Sequence, residues 1–140
     1  MRFWDSSAVV PLLVEEPAGV ELLAILSEEG GLIVWWGTPV ECASAIARRE
    51  REGHLDVVAA SAALARLRAL ELAWAEVAPT PVVRRLALRL LRSHALRAAD
   101  SLQLAAGLVA AEQDPAALGF VCLDDRLRTA AQREGFTVSP

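Results

Sequence analysis

Apolar residues fall into two alternating patterns along this chain. Short runs at Arg2–Trp4, Leu32–Trp36, Leu72–Val77, Phe120–Leu123 and Phe136–Val138 have the length and aromatic or β-branched content of strands. The second and fourth lack polar alternation, as expected of strands covered on both faces. Between these runs, apolar positions recur every three or four residues. That spacing predicts helices at about Ser7–Val14, Ala18–Glu29, Pro39–Glu52, Val57–Leu70, Pro81–Ser93, Ser101–Glu112 and Asp125–Glu134. Gly30-Gly31 and Gly53 fit helix stops, whereas Thr38-Pro39 and Pro79-Thr80-Pro81 fit helix starts. In the Pro81–Ser93 segment Val82, Leu86, Leu90 and Leu91 form an apolar side, and Arg85, Arg89 and Arg92 recur on a face that reads as solvated. Strands alternating with helices predict an α/β fold. Its sheet would be mostly parallel, covered on both faces and joined by right-handed crossovers.

Composition narrows this picture. With 140 residues and 54% hydrophobic content, the chain can bury one substantial core, so residues 1–140 are expected to form a single domain. No apolar run approaches the roughly 18–20 residues of a bilayer span. The opening Met1-Arg2-Phe3-Trp4-Asp5 lacks a signal-peptide layout, so the expected location is cytoplasmic, without a membrane partner. Cys42 and Cys122 have no zinc-ligand spacing and read as buried free thiols, and core packing is the default for Trp35, Trp36 and Trp74. All 14 basic residues are arginine, and 18 acids leave a net charge of −4. That balance argues against a broad positive surface for nucleic acid. Any RNA contact must come from local arginines or from metal ions.

Candidate chemistry begins where the acids fall. Asp5 ends the first predicted strand and Asp124 follows the fourth, while Glu41 and Asp100 stand at the starts of predicted helices. In a parallel sheet the strand carboxyl ends share one edge, and ligands collect above it. Each acid also has a simpler explanation. Thr38-Pro39-Val40-Glu41 reads as a capping box, and Asp5, Asp100 (with Gln103 three residues on) and Asp124 are acceptable N-caps. Capping explains the helix starts but does not require the four acids to share one side of the sheet. If they converge, their mutual repulsion calls for cations or for raised pKa values. Hard oxygen donors without a Cys or His partner suit Mg²⁺ or Mn²⁺ rather than zinc. His54 and His94 read as turn or capping residues.

The four positions resemble the PIN-domain family, in particular the VapC-type toxins of toxin–antitoxin pairs, over essentially the whole chain. Phe3-Trp4-Asp5-Ser6-Ser7-Ala8-Val9-Val10 is similar to the family's first motif. Pro39-Val40-Glu41-Cys42-Ala43-Ser44-Ala45 resembles the second. The stretch from His94 to Ala105, containing Ala98-Ala99-Asp100-Ser101-Leu102, resembles the third, and Gly119-Phe120-Val121-Cys122-Leu123-Asp124-Asp125 the last. Cys122 departs from the pattern, because many relatives carry Thr or Ser there. The adjacent pair leaves open whether Asp124 or Asp125 faces the site, and register favours Asp124.

The resemblance implies a three-layer α/β/α PIN-like fold with strand order 3-2-1-4-5. It also implies a Mg²⁺- or Mn²⁺-dependent endoribonuclease with one or two ions, held by Asp5, Glu41, Asp100 and Asp124. Ser7 is expected to orient a carboxylate or water, and Arg48, Arg49 and Arg97 are candidate RNA contacts. A cognate antitoxin and a homodimer complete what the resemblance implies. Two other classes compete: a catalytically inactive PIN-like RNA-binding or scaffold module, and a receiver-like phosphoryl-transfer protein. The latter normally needs a lysine near its site, and this chain has none.

Overall fold

A computed structural model describes residues 1–140. The order of elements is β1 (Arg2–Trp4), α1 (Ser6–Leu13), α2 (Gly19–Glu29), β2 (Leu32–Trp35), α3 (Thr38–Arg51), α4 (Val57–Glu71), β3 (Ala75–Val77), α5 (Pro81–Ser93), α6 (Ala98–Ala110), a 3-10 turn at Pro115–Ala117, β4 (Gly119–Val121), α7 (Asp125–Arg133) and β5 (Thr137–Ser139). All strand pairs are parallel, in the order β3-β2-β1-β4-β5. No helix is long and apolar enough to cross a membrane.

The period of two along each strand divides the core. Trp4, Leu32, Val34 and Val121 point to one face, where residues of α1 to α4 pack on them, including Val9, Leu13, Leu22, Ile46 and Leu67. Phe3, Trp35, Val77 and Phe120 point to the other and meet α5, α6 and α7 through residues such as Leu90, Leu104 and Leu127. The expected three-layer α/β/α architecture is therefore the observed one, and its strand order is the expected 3-2-1-4-5. Both cysteines are buried and free.

Local differences from the sequence expectation have identifiable causes. Leu72 and its neighbours run out of α4 instead of opening β3, and Leu72 is 91% exposed. On α5 the face turned to the core is Val83, Ala87 and Leu90, while Val82 and Leu91 reach solvent. Trp36 is 54% exposed, against the core default, because it follows the last residue of β2. Helix α6 starts at Ala98, three residues early, since Ala98 and Ala99 favour helix and extend it towards Arg97.

Gly107 brings α6 close to the sheet. A Cβ built there would lie 2.8 Å from Phe120 Cε2 and 3.4 Å from Phe136 Cζ. Phe120 cannot easily retreat, being fully buried with ring centroids 5.1 Å from both Phe3 and Phe136. Gly→Ala in a helix normally stabilises by up to about 1 kcal/mol, but overpacking costs about 1–3 kcal/mol. Gly107→Ala is thus expected to lower the thermal midpoint by a few degrees, read by circular dichroism; a raised midpoint would contradict this packing.

Candidate active site

Because every strand runs the same way, the carboxyl ends of β1, β2 and β4 share one edge, and α1, α3 and α7 start from it. The Asp5 N–H donates to the Val121 carbonyl at 3.0 Å and extends the β1–β4 ladder by one residue. This fixes Asp5 at the sheet edge with only 4% exposure. Its Oδ2 accepts the Ser7 N–H at 3.0 Å, so Asp5 caps α1, and the Cys122 thiol lies 3.7 Å from the same oxygen. Ser7 also ties the exit of β4 to α1, its Oγ accepting the Leu123 N–H at 2.9 Å.

Glu41 is not the reciprocal partner of a capping box. Helix α3 begins at Thr38 with Gly37 as N-cap, which moves Glu41 one position deeper. Its carboxylate instead receives two tertiary hydrogen bonds: Ser6 Oγ donates to Oε2 at 2.8 Å, and Gln103 Nε2 donates to Oε1 at 3.1 Å. The same Gln103 Nε2 reaches Thr38 Oγ1 at 3.1 Å. Ser6 is not singled out by the sequence, and Gln103 enters there only as a possible capping partner of Asp100. The signal for Gln103 was a lone amide among Leu102, Leu104, Ala105 and Ala106, and it is fully buried.

Asp100 is not an N-cap either. It occupies the third position of α6, and its Oδ2 accepts the Arg97 N–H at 3.2 Å. Asp124 does cap α7, accepting the Leu127 N–H at 2.9 Å.

Asp5, Glu41, Asp100 and Asp124 all line one open depression of about 730 Å³, together with Ser6, Ser7, Arg48, Arg49 and Arg97. Asp125 lies outside it, in a neighbouring hollow. Arg49 is paired with Glu16 from the loop after α1, which leaves Arg48 and Arg97 as the unpaired cations of the main depression.

The electrostatics record burial first and the crowding of acids second. Burial raises the Asp5 carboxyl above its ordinary range, and Asp100 adds to the rise, against hydrogen bonds from Ser7. Burial also pushes Glu41 up to about 7, with further contributions from Asp5 and Asp100 that Ser6 and Gln103 offset only in part. Cys122 is held as a neutral thiol, raised by burial and by Asp5.

No protein-family model matches the sequence, and no curated protein matches it. Among solved structures the chain is similar to the crystal structure of PAE2754 from Pyrobaculum aerophilum. The TM-score is 0.65 at 21% identity, over 98% of this chain and 82% of that one. At that identity the likeness is one of fold.

Whether the acids suit a divalent ion can be tested on their arrangement. They offer only hard oxygen donors, and burial first, then the neighbouring acids, make the ionised forms of Asp5 and Glu41 costly without a cation. No three Asp, Glu, His or Cys groups lie close enough together to hold a metal ion by themselves. Mg²⁺ does not require a cage; it keeps several waters and is commonly held by one or two carboxylates plus substrate phosphate. The donor set fits such an ion and does not fit a structural zinc site.

Proposed function

We propose that this protein is a Mg²⁺- or Mn²⁺-dependent endoribonuclease of the PIN-domain kind, acting as the toxin of a VapBC-type pair. The supporting observation is that four acids separated by up to 119 positions, Asp5 to Asp124, line one depression with Arg48 and Arg97 on its walls. Helix capping alone does not require that convergence.

Asp5 and Asp100 would hold the metal directly, with Glu41 and Asp124 completing its surroundings or holding coordinated water. When bound, the ion supplies an activated water for in-line attack and neutralises charge on the phosphodiester. The chain's own part is positional. The ladder bond of Asp5, the Ser6 and Gln103 contacts to Glu41, and the cap at Asp124 fix four carboxylates before substrate arrives. Arg48 and Arg97, with Arg49 if Glu16 releases it, bind flanking phosphates.

As a VapC-type toxin the protein would pair with an antitoxin and form a homodimer. Exposed Trp36 and Val40, at the entrance to α3, supply apolar surface of the type interfaces use. An inactive RNA-binding or scaffold module is the second reading. In its favour, every one of the four carboxylates already has a protein hydrogen-bond donor.

Purified protein is expected to cleave single-stranded RNA with Mn²⁺ or Mg²⁺ and not with EDTA. Mn²⁺ at 100 times its dissociation constant should stabilise the fold by about 2.7 kcal/mol by mass action. A thermal midpoint indifferent to metal, together with intact RNA, would leave the binding module as the better reading.

A further inference from the structure

The acidic depression does not end at the carboxylates. A second hollow of about 350 Å³ shares Arg97, Asp100 and Asp124 with it and is closed by Asp125 and Arg126, with no hydrophobic residue in its wall. A third, of about 280 Å³, shares Asp125 and Arg126 with the second and continues to Thr129 and Arg133. The three hollows therefore adjoin one another in a row that leads from the acids along α7.

Arg126, Thr129 and Arg133 stand at i, i+3 and i+7, which places them on a single face of that helix. Seven residues of helix span about 10 Å. Both guanidinium groups are exposed. The arginine ion pairs of this chain join Arg2 to Glu29, Arg49 to Glu16 and Arg89 to Glu134, and neither Arg126 nor Arg133 takes part. Glu134, the acid next to Arg133 in sequence, is already engaged by Arg89 and His94. Beyond the four acids the path carries Glu16, which is paired with Arg49, and Asp125.

Resting on the nuclease reading above, we propose that the substrate is an extended single-stranded RNA whose backbone runs from the carboxylates along α7, with successive phosphates on Arg97, Arg126 and Arg133. The chain's net charge of −4 gives no general attraction for a polyanion, so recognition must be local. Arg48 holds the opposite flank of the acidic depression, and the strand would cross the acids between these two basic walls. A rigid duplex is less suited to a path of three joined hollows than a strand that can bend from one to the next.

The test uses full-length Asp100→Asn protein, so that RNA is bound without being cut, and a fluorescein-labelled single-stranded RNA of about 16 nucleotides. Anisotropy titrations over a range of NaCl give the dependence of log K on log [salt]. Each phosphate contact on a single strand contributes a slope of about −0.7. Arg126→Ser/Arg133→Ser should weaken binding and make the slope shallower by about 1.4. Arg68→Ser/Arg92→Ser removes the same charge from exposed positions off the path and should leave the slope unchanged.

Equal loss in the two double variants would reduce the effect to net charge and overturn the path. An unchanged slope in the Arg126/Arg133 variant would also overturn it and would leave that face of α7 to an acidic partner segment. The nuclease reading is judged separately by metal-dependent cleavage in the wild type, so either can fail without the other.

Discussion

Asp100→Asn is expected to reduce metal-dependent RNA cleavage by more than about 100-fold while leaving the metal-free fold as stable as before, or more so. Losing an outer partner of a metal site typically costs 10–100-fold, and a direct ligand should exceed that. The structure explains why stability does not fall in parallel. The Asp100 side chain accepts one hydrogen bond, from the Arg97 N–H, and the carbonyl of asparagine can keep it. What disappears is charge repulsion, because Asp100 raises both Asp5 and Glu41. Asp5→Asn should behave similarly, its carbonyl retaining the bond from Ser7 N–H.

The raised carboxyls, lifted by burial first and by neighbouring acids second, give a pH signature. A carboxyl whose folded pKa lies above its unfolded value binds more protons when folded, so its contribution is fully present below the unfolded pKa and is lost as pH rises through the folded one. For Glu41 that window runs from about 4.5 to about 7. Metal-free wild type should therefore melt at a lower temperature at pH 8 than at pH 5, and saturating Mn²⁺ should narrow the difference. Asp100→Asn should flatten the metal-free dependence without abolishing it, because burial outweighs the acids in raising Glu41. Melting curves at both pH values, beside cleavage assays, check all of this. Wild-type cleavage rates in purified Asp5→Asn and Asp100→Asn would remove both residues from the mechanism.

The parts of the site that were legible in the sequence are those set by strand ends. An aspartate directly after a buried apolar run, as at Trp4-Asp5, must sit at the sheet edge, since the strand pattern and the edge are one fact. Helix starts were less legible. Asp100 and Glu41 both looked like capping residues, yet Ala98-Ala99 and Thr38-Pro39 are compatible with helix and carry each helix start upstream of its acid. Glu41 is thereby released from capping, whereas Asp100 moves from the N-cap to the third position and caps from there, on the Arg97 N–H. Side-chain partners across 35 to 62 positions, such as Ser6 and Gln103 on Glu41, have no local signature, because their meeting depends on how α1, α3 and α6 pack together. The path along α7 was hidden for a related reason. Arg126 and Arg133 are ordinary helix-surface residues until the fold places that surface beside the acids.

Gln103 is the residue through which the packing of the third layer reaches the acids. It sits on α6 and is wholly buried, and its Nε2 donates both to Glu41 and to Thr38, two residues of the first turns of α3. Gln103→Met keeps length and approximate volume while removing both donors, so overpacking and cavity effects should stay below about 1.5 kcal/mol. Two acceptors would lose a partner in a buried setting, at a cost of about 1–3 kcal/mol each where no water replaces it. Glu41, freed on one side, would lose a hydrogen bond that favours its ionised form and would rise further. Proton and metal compete for that carboxylate. Mn²⁺ affinity is accordingly expected to fall about 10- to 100-fold, the range for an outer partner, and the loss should be greatest near pH 6 and smaller at pH 8. Calorimetric Mn²⁺ titrations at both pH values read this directly. A Gln103→Met protein that melts earlier yet binds Mn²⁺ with wild-type affinity at pH 6 would reduce Gln103 to a packing residue and detach α6 from the tuning of Glu41.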